Sequence, residues 1–190
     1  MIIRFLLFFT TLFGCQGLAA NEPLKCHISA TGNQSVICQG NPLFLIINLD
    51  GNEDLFSDRL WQTDGNFLSA PDGLFVRFDT SKPGAYLINF SASNLEGDSA
   101  YCEIKIEVLA QPNIEIVENF RPLGWFLFKK PMPRLHIIPK ENYILQWFFN
   151  GNEIPGATKA RYRPRKPGRY HVKADSPQGC SAFSKTIIVE

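Results

Sequence analysis

Four basic residues, Lys159, Arg161, Arg163 and Arg165, recur at every second position. In an extended chain side chains alternate between faces, so this spacing puts all four on one side. With Arg169 and Lys173 pointing outward from a following strand, such a ladder could bind an acidic glycan or the phosphates of a lipopolysaccharide. The alternative is a solvated strand face whose charge discourages edge pairing. A second group, Asp50, Asn52, Asp54 and Asp58, sets oxygen side chains at the first, third, fifth and ninth positions of a segment, as a calcium loop does. Its sixth position is Leu55 where such loops need Gly, and its twelfth is Trp61 where they need Glu, so a polar connection between strands is the favoured reading and calcium the lesser one. Catalytic chemistry has little to stand on. Of the three histidines, His27, His136 and His171, none falls in a His-Glu-x-x-His pattern, and there is no nucleophile elbow or phosphate-binding glycine loop. The expectation is a protein that is not an enzyme and carries no cofactor.

The cysteines and the N-terminus speak to compartment. Arg4 precedes an apolar run, Phe5 to Phe13, too short for a membrane span and suited to a signal-peptide core over residues 1–20. Two processing sites compete. Leu12-Phe13-Gly14-Cys15 resembles a lipobox over residues 12–15, which would make Cys15 the lipidated first residue. Gly17-Leu18-Ala19 resembles an ordinary small-x-small site, which would discard it. Either route delivers Cys26, Cys38, Cys102 and Cys180 to an oxidising exterior, where pairing is expected and where no Cys-x-x-Cys spacing suggests zinc. Three of them lie in the first half, so one bridge within that half is possible. Cys38 with Cys102 is the expected pair, worth roughly 3–5 kcal/mol of chain entropy. Cys26 with Cys102 is the alternative. Cys180 is left free for an intermolecular contact or for burial.

The elements that hold these residues repeat. Lys82-Pro83-Gly84-Ala85-Tyr86 recurs as Lys166-Pro167-Gly168-Arg169-Tyr170, and Trp61 with Gly65 recurs as Trp147 with Gly151. After each Pro-Gly turn apolar residues alternate with polar ones: Tyr86, Ile88, Phe90 and Ala92 in the first copy, Tyr170, Val172 and Ala174 in the second. Cys102, Ile104, Ile106 and Val108 alternate with Tyr101, Glu103, Lys105 and Glu107, as in a half-exposed strand. Leu43 to Leu49, apolar at every position but Asn48, is suited to a strand buried inside a sandwich. Asp-Gly, Asn-Gly and Pro-Gly turns punctuate the chain, and helical periodicity is missing beyond the first segment. The expected fold is all-β, two tandem sandwiches over residues 21–109 and 110–190.

A Trp on an early strand, a Pro-Gly turn and a Tyr opening a late strand form the skeleton of an immunoglobulin-like sandwich. Gln146 to Thr158, the Lys166 to Tyr170 corner and Gln178-Gly179-Cys180-Ser181-Ala182 resemble the Ig-like repeats of bacterial surface proteins, and the first copy is similar to their PKD-like or Ig-like relatives. The resemblance gives Trp61, Tyr86, Trp147 and Tyr170 structural roles and implies a bacterial exterior protein, acting in adhesion or ligand display. The chain departs from antibody-type domains in having Ile88 and Val172 two residues after the corner tyrosines, where those domains place a cysteine.

Composition agrees with a globular protein. Hydrophobic residues make up 45% of the 190, enough to build cores, and a formal charge of +1 argues against a chain built around nucleic acid. The charge is unevenly divided. Residues 24–109 carry 5 Lys and Arg against 11 Asp and Glu, net −6, and residues 110–190 carry 13 against 6, net +7. A surface protein or an acidic glycan is the expected partner, and opposite-charge contact between copies is a further option. Gly124 to Lys130 sets Trp125, Phe126 and Phe128 beside two lysines, a composition for strand core or for a membrane interface.

Overall fold

The computed structural model describes residues 25–49, 56, 58–95, 97–119, 132–139 and 141–190. The signal segment with Cys15, the Gly124 to Lys130 stretch, and Asp50, Asn52 and Asp54 of the calcium pattern lie outside them. Within them the chain is all-β. The first half carries β1 (Cys26–Ala30), β2 (Val36–Cys38), β3 (Leu43–Leu49), β4 (Asp58–Thr63), β5 (Phe75–Phe78), β6 (Gly84–Ser93) and β7 (Ser99–Leu109). The second carries β8 (Glu115–Asn119), β9 (Arg134–Ile138), β10 (Ile144–Phe149), β11 (Asn152–Glu153), β12 (Arg161–Tyr162), β13 (Gly168–Asp175), β14 (Ser181–Phe183) and β15 (Ile187–Val189).

Four sheets close two cores. The order β1-β3-β5 faces β2-β7-β6-β4 across a cluster built on Leu43, Leu45, Trp61, Val76, Phe78, Ile88, Phe90 and Ile106. The order β12-β9-β8 faces β11-β10-β13-β14, with β15 also on β13, across Leu135, Ile137, Leu145, Trp147, Tyr170 and Val172. The long strands β3, β6 and β13 bury every second residue over most of their length, as the alternation of Tyr86 to Ala92 predicts for β6. β3 departs from its expectation. The apolar run Leu43 to Leu49 is not buried on both sides: Leu43, Leu45, Ile47 and Leu49 point inward, whereas Phe44 and Ile46 stay on the outer face beside Phe75. A two-layer sandwich covers only one face of each sheet, so a segment apolar at six of its seven positions cannot be wholly interior here.

The sequence repeat is a repeat of hydrogen bonds. Trp61 Nε1–H donates to the carbonyl of Gly73 and Trp147 Nε1–H to that of Lys159, both at 2.8 Å and both twelve residues ahead. The backbone N–H groups of the same tryptophans donate to Pro71 and Ala157, again an identical offset. Each indole is thus buried without leaving its one donor unpaired. The corner tyrosines behave alike. Tyr86 Oη donates to Lys82 at 2.9 Å and Tyr170 Oη to Lys166 at 2.8 Å, the bond that defines a tyrosine corner in immunoglobulin-like sandwiches. The Lys-Pro-Gly phrase recurs because the Pro-Gly turn brings that carbonyl back over the ring. At Gly168, which has φ +150°, an added Cβ would come within 2.5 Å of the Phe149 ring, so the second turn admits no side chain without displacing a core aromatic.

Burial is the first cause that pushes the Tyr170 hydroxyl above its ordinary value of 10.0, so it remains a donor at neutral pH. The stability tied to that raised value is fully present below the unfolded value and is lost as pH rises through the folded one. Tyr170→Phe is expected to cost about 1 kcal/mol and Tyr86→Phe less, its ring being more exposed, as read by urea unfolding followed by tryptophan fluorescence.

The disulfides correct the expected pairing. Cys26 bonds Cys102 and Cys38 bonds Cys180, with Cα separations of 5.8 and 5.6 Å. Cys38 cannot reach Cys102. β2 runs parallel to β7 with Cys38 opposite Leu109, seven residues beyond Cys102, or roughly 23 Å along a strand against a limit of about 7 Å between bridged Cα atoms. Cys26, on the facing sheet, packs against the same core as Cys102 and ties the two layers together. Cys180 is neither free nor available for another chain. It is fully buried in the Ser176 to Cys180 turn, where Ser176 N–H donates to the Cys180 carbonyl and Cys180 N–H to Ser176 Oγ.

Candidate binding surface

Trp147 positions the basic segment. Its indole donates to Lys159 and its backbone N–H to Ala157, while the Ile137 N–H donates to Ala160. Those three bonds lay residues 157–160 along the core and deliver Arg161 and Tyr162 to the edge of β9 as β12, with Arg161 opposite His136 and Tyr162 opposite Leu135. Tyr162 turns inward and stacks on Trp147 at 5.4 Å, and Pro164 is buried. Arg161, Arg163 and Arg165 therefore alternate outward, as the spacing predicts, although only Arg161 and Tyr162 are strand.

β9 adds two residues that sequence reading did not place here. Arg134 and His136 flank the buried Leu135, so both stand on the outer face of this sheet, in the rows of Asn119 and of Val117 with Arg161. An open groove of about 640 Å³ runs along this face, lined by Asn119, Arg134, His136, Ile138, Arg161 and Arg163. A second, of about 750 Å³, lies on the other side of β12 beside Thr158, Lys159, Arg163 and Arg165, and the two share Arg161, Tyr162 and Arg163. Among the described residues the side chains of Arg134, Lys159, Arg161, Arg163 and Arg165 have no hydrogen-bond or ion-pair partner. The signal that could have found Arg134 is its own alternation, Arg134-Leu135-His136-Ile137, which sets an arginine and a histidine on one face of a strand with an inward Leu and Ile.

Arg169 and Lys173 do not join this group. They lie on β13, in the opposite sheet, whose outer face points away from β12. Lys173 is already engaged with Asp175 at 2.8 Å. Hydrogen bonds from Lys173 and then Ser181 hold the Asp175 carboxyl below its ordinary value of 3.8. That face is chiefly aromatic: Phe148 and His171 stack at 4.9 Å and 5° between planes, with Phe183 edge-on to both. His171 faces outward as expected, but against two rings rather than in open solvent. In the acidic half, Asp58 is the exposed first residue of β4, and among the described residues no group of three or more His, Cys, Asp or Glu could hold a metal ion. No helix of the described residues is long and apolar enough to cross a membrane.

No family model and no curated protein matches the chain. Solved structures are similar to it at a distance. Murine CEACAM1b is 13% identical with a TM-score of 0.37, over 87% of this chain and 99% of that one. The C-terminal 282-residue fragment of intimin, solved with the intimin-binding domain of its translocated receptor, is 12% identical with a TM-score of 0.47, over 87% of this chain and 64% of that one. A Bacteroides ovatus protein, SGBP-B of a mixed-linkage glucan utilization locus, solved with a heptasaccharide, is 12% identical with a TM-score of 0.35, over 81% of this chain and 42% of that one. Likenesses this remote carry no argument about binding. The all-β, immunoglobulin-like sandwich architecture rests on the strand order, the two cores and the paired tyrosine corners.

Proposed function

We propose that this chain is a noncatalytic extracytoplasmic protein, secreted or attached to the cell surface, whose two sandwich units divide near residue 110 and serve in adhesion or ligand display. The observation that carries this reading is the Cys38–Cys180 bridge between the end of β2 and the β13–β14 turn, which joins one core to the other. A structural disulfide survives where thiols are oxidised, and one that fastens two cores together suits a protein that must present surfaces in a fixed relation outside the cell. The intact mass of the exported protein tests it. The expected mass is about 4 Da below that of the reduced chain, for two bridges, and lacks the first segment. A diacylglycerol adduct on Cys15 would add a lipid anchor to the reading. A full-length chain with all five cysteines as free thiols would overturn it.

The division of charge, net −6 in residues 24–109 and net +7 in residues 110–190, favours a second reading, an assembly subunit whose copies join end to end. Sedimentation velocity at low and high salt separates the two: an oligomer that dissolves in salt supports assembly, and a monomer at both removes it.

A further inference from the structure

We propose that the outer face of the β12-β9-β8 sheet is a binding furrow for an acidic polysaccharide, with Arg134, Arg161 and Arg163 as its anionic-group contacts and Lys159 and Arg165 extending it. This deepens the exterior-binding reading above and rests on it. Five cations from two strands and their flanks meet here without an acidic partner among the described residues. Guanidinium groups pair with carboxylate and sulfate through two parallel N–H donors, and arginine outnumbers lysine four to one in this cluster. The two grooves share Arg161, Tyr162 and Arg163, so the cations follow an extended path rather than closing around one small anion. Arg161 and Arg163 stand about 6.7 Å apart along extended backbone, a step suited to charges that recur along a polymer.

Two other polyanions fit less well. A single-stranded nucleic acid needs exposed rings on which its bases stack. Tyr162, the aromatic residue lining both grooves, instead stacks on Trp147. An acidic protein partner would call for an apolar centre ringed by polar residues. The groove along β9 offers Ile138 as its exposed large apolar side chain, at the end of the strand and opposite Glu115. A hydrated, repeatedly charged glycan needs neither feature.

Affinity electrophoresis of the full exported protein in gels containing heparin, polygalacturonate or neutral dextran tests the furrow. The expected result is retardation by a polyanion and none by dextran. Heparin ahead of polygalacturonate assigns sulfate, and the reverse order assigns carboxylate. Arg134→Ser/Arg161→Ser/Arg163→Ser is expected to weaken binding by about tenfold or more. The same change at Lys105 and Lys185, away from the furrow, is expected to leave it unchanged. The single variant Arg134→Gln, at an exposed position, is expected to weaken binding measurably if the triple variant does not fold. Unchanged retardation of a folded triple variant, or of Arg134→Gln where the triple variant does not fold, overturns the proposal. So does a wild type that ignores both polyanions, or one that binds a DNA oligonucleotide or a polyglutamate peptide more tightly than either polysaccharide. An exported, disulfide-bonded protein with no polyanion binding removes the furrow alone; a reduced, unexported chain removes the reading beneath it.

Discussion

Trp147→Ala is expected to lose about 3–5 kcal/mol, the range for deleting a buried aromatic side chain, and to unfold the second core while the first remains folded. The indole is fully buried, stacks on Tyr162 and supplies the one donor that the Lys159 carbonyl accepts. Its loss opens a cavity and also frees residues 157–160, so β12 leaves β9 and the arginines lose their alignment. Near-UV circular dichroism should show the Trp61 environment kept and the rest weakened, and polyanion retardation should fall with it. Two separate transitions in urea are the expected signature of two cores. A single transition for wild type and variant alike would mean the cores unfold as one.

Cys26→Ser with Cys102→Ser is expected to cost about 2–5 kcal/mol, the usual range for removing a native disulfide. The bridge spans 76 residues and fastens β1 to β7, one strand from each layer of the first sandwich. Sulfur also packs against the core there, so a serine hydroxyl replaces an apolar contact as well as releasing the loop. The melting transition of the first core should drop by ten degrees or more, an order-of-magnitude expectation for a domain near this size, with the second core little changed. Equal stability of the double variant would mean that the bridge does not close this core.

Much of the architecture is legible in the sequence because period-2 alternation and the Trp-to-Tyr phrase are local signals. The strands β6, β7 and β13 lie where alternation places them, and the corner bonds from Tyr86 and Tyr170 explain why the phrase occurs twice. Pairing of cysteines is not local. Which cysteine meets Cys102 depends on the parallel register of β2 on β7 and on which strand covers β7 from the facing sheet, and neither is written in the spacing of Cys26, Cys38 and Cys102. The same limit separates Arg169 and Lys173 from the ladder. All face outward from strands or their flanks, but β12 and β13 belong to opposite layers, and outwardness alone does not say which. Conversely Arg134, 27 residues before Arg161, joins the ladder only because β9 pairs with β12. Sequence reading finds a face; strand pairing decides which faces meet.

Peptide mapping of the exported, unreduced protein tests most directly the claim that its two β cores are fastened together. After proteolysis without reductant, mass spectrometry should find one linked peptide pair containing Cys38 and Cys180 and another containing Cys26 and Cys102. A linked pair containing Cys38 and Cys102, or a free thiol at Cys180, would contradict the account.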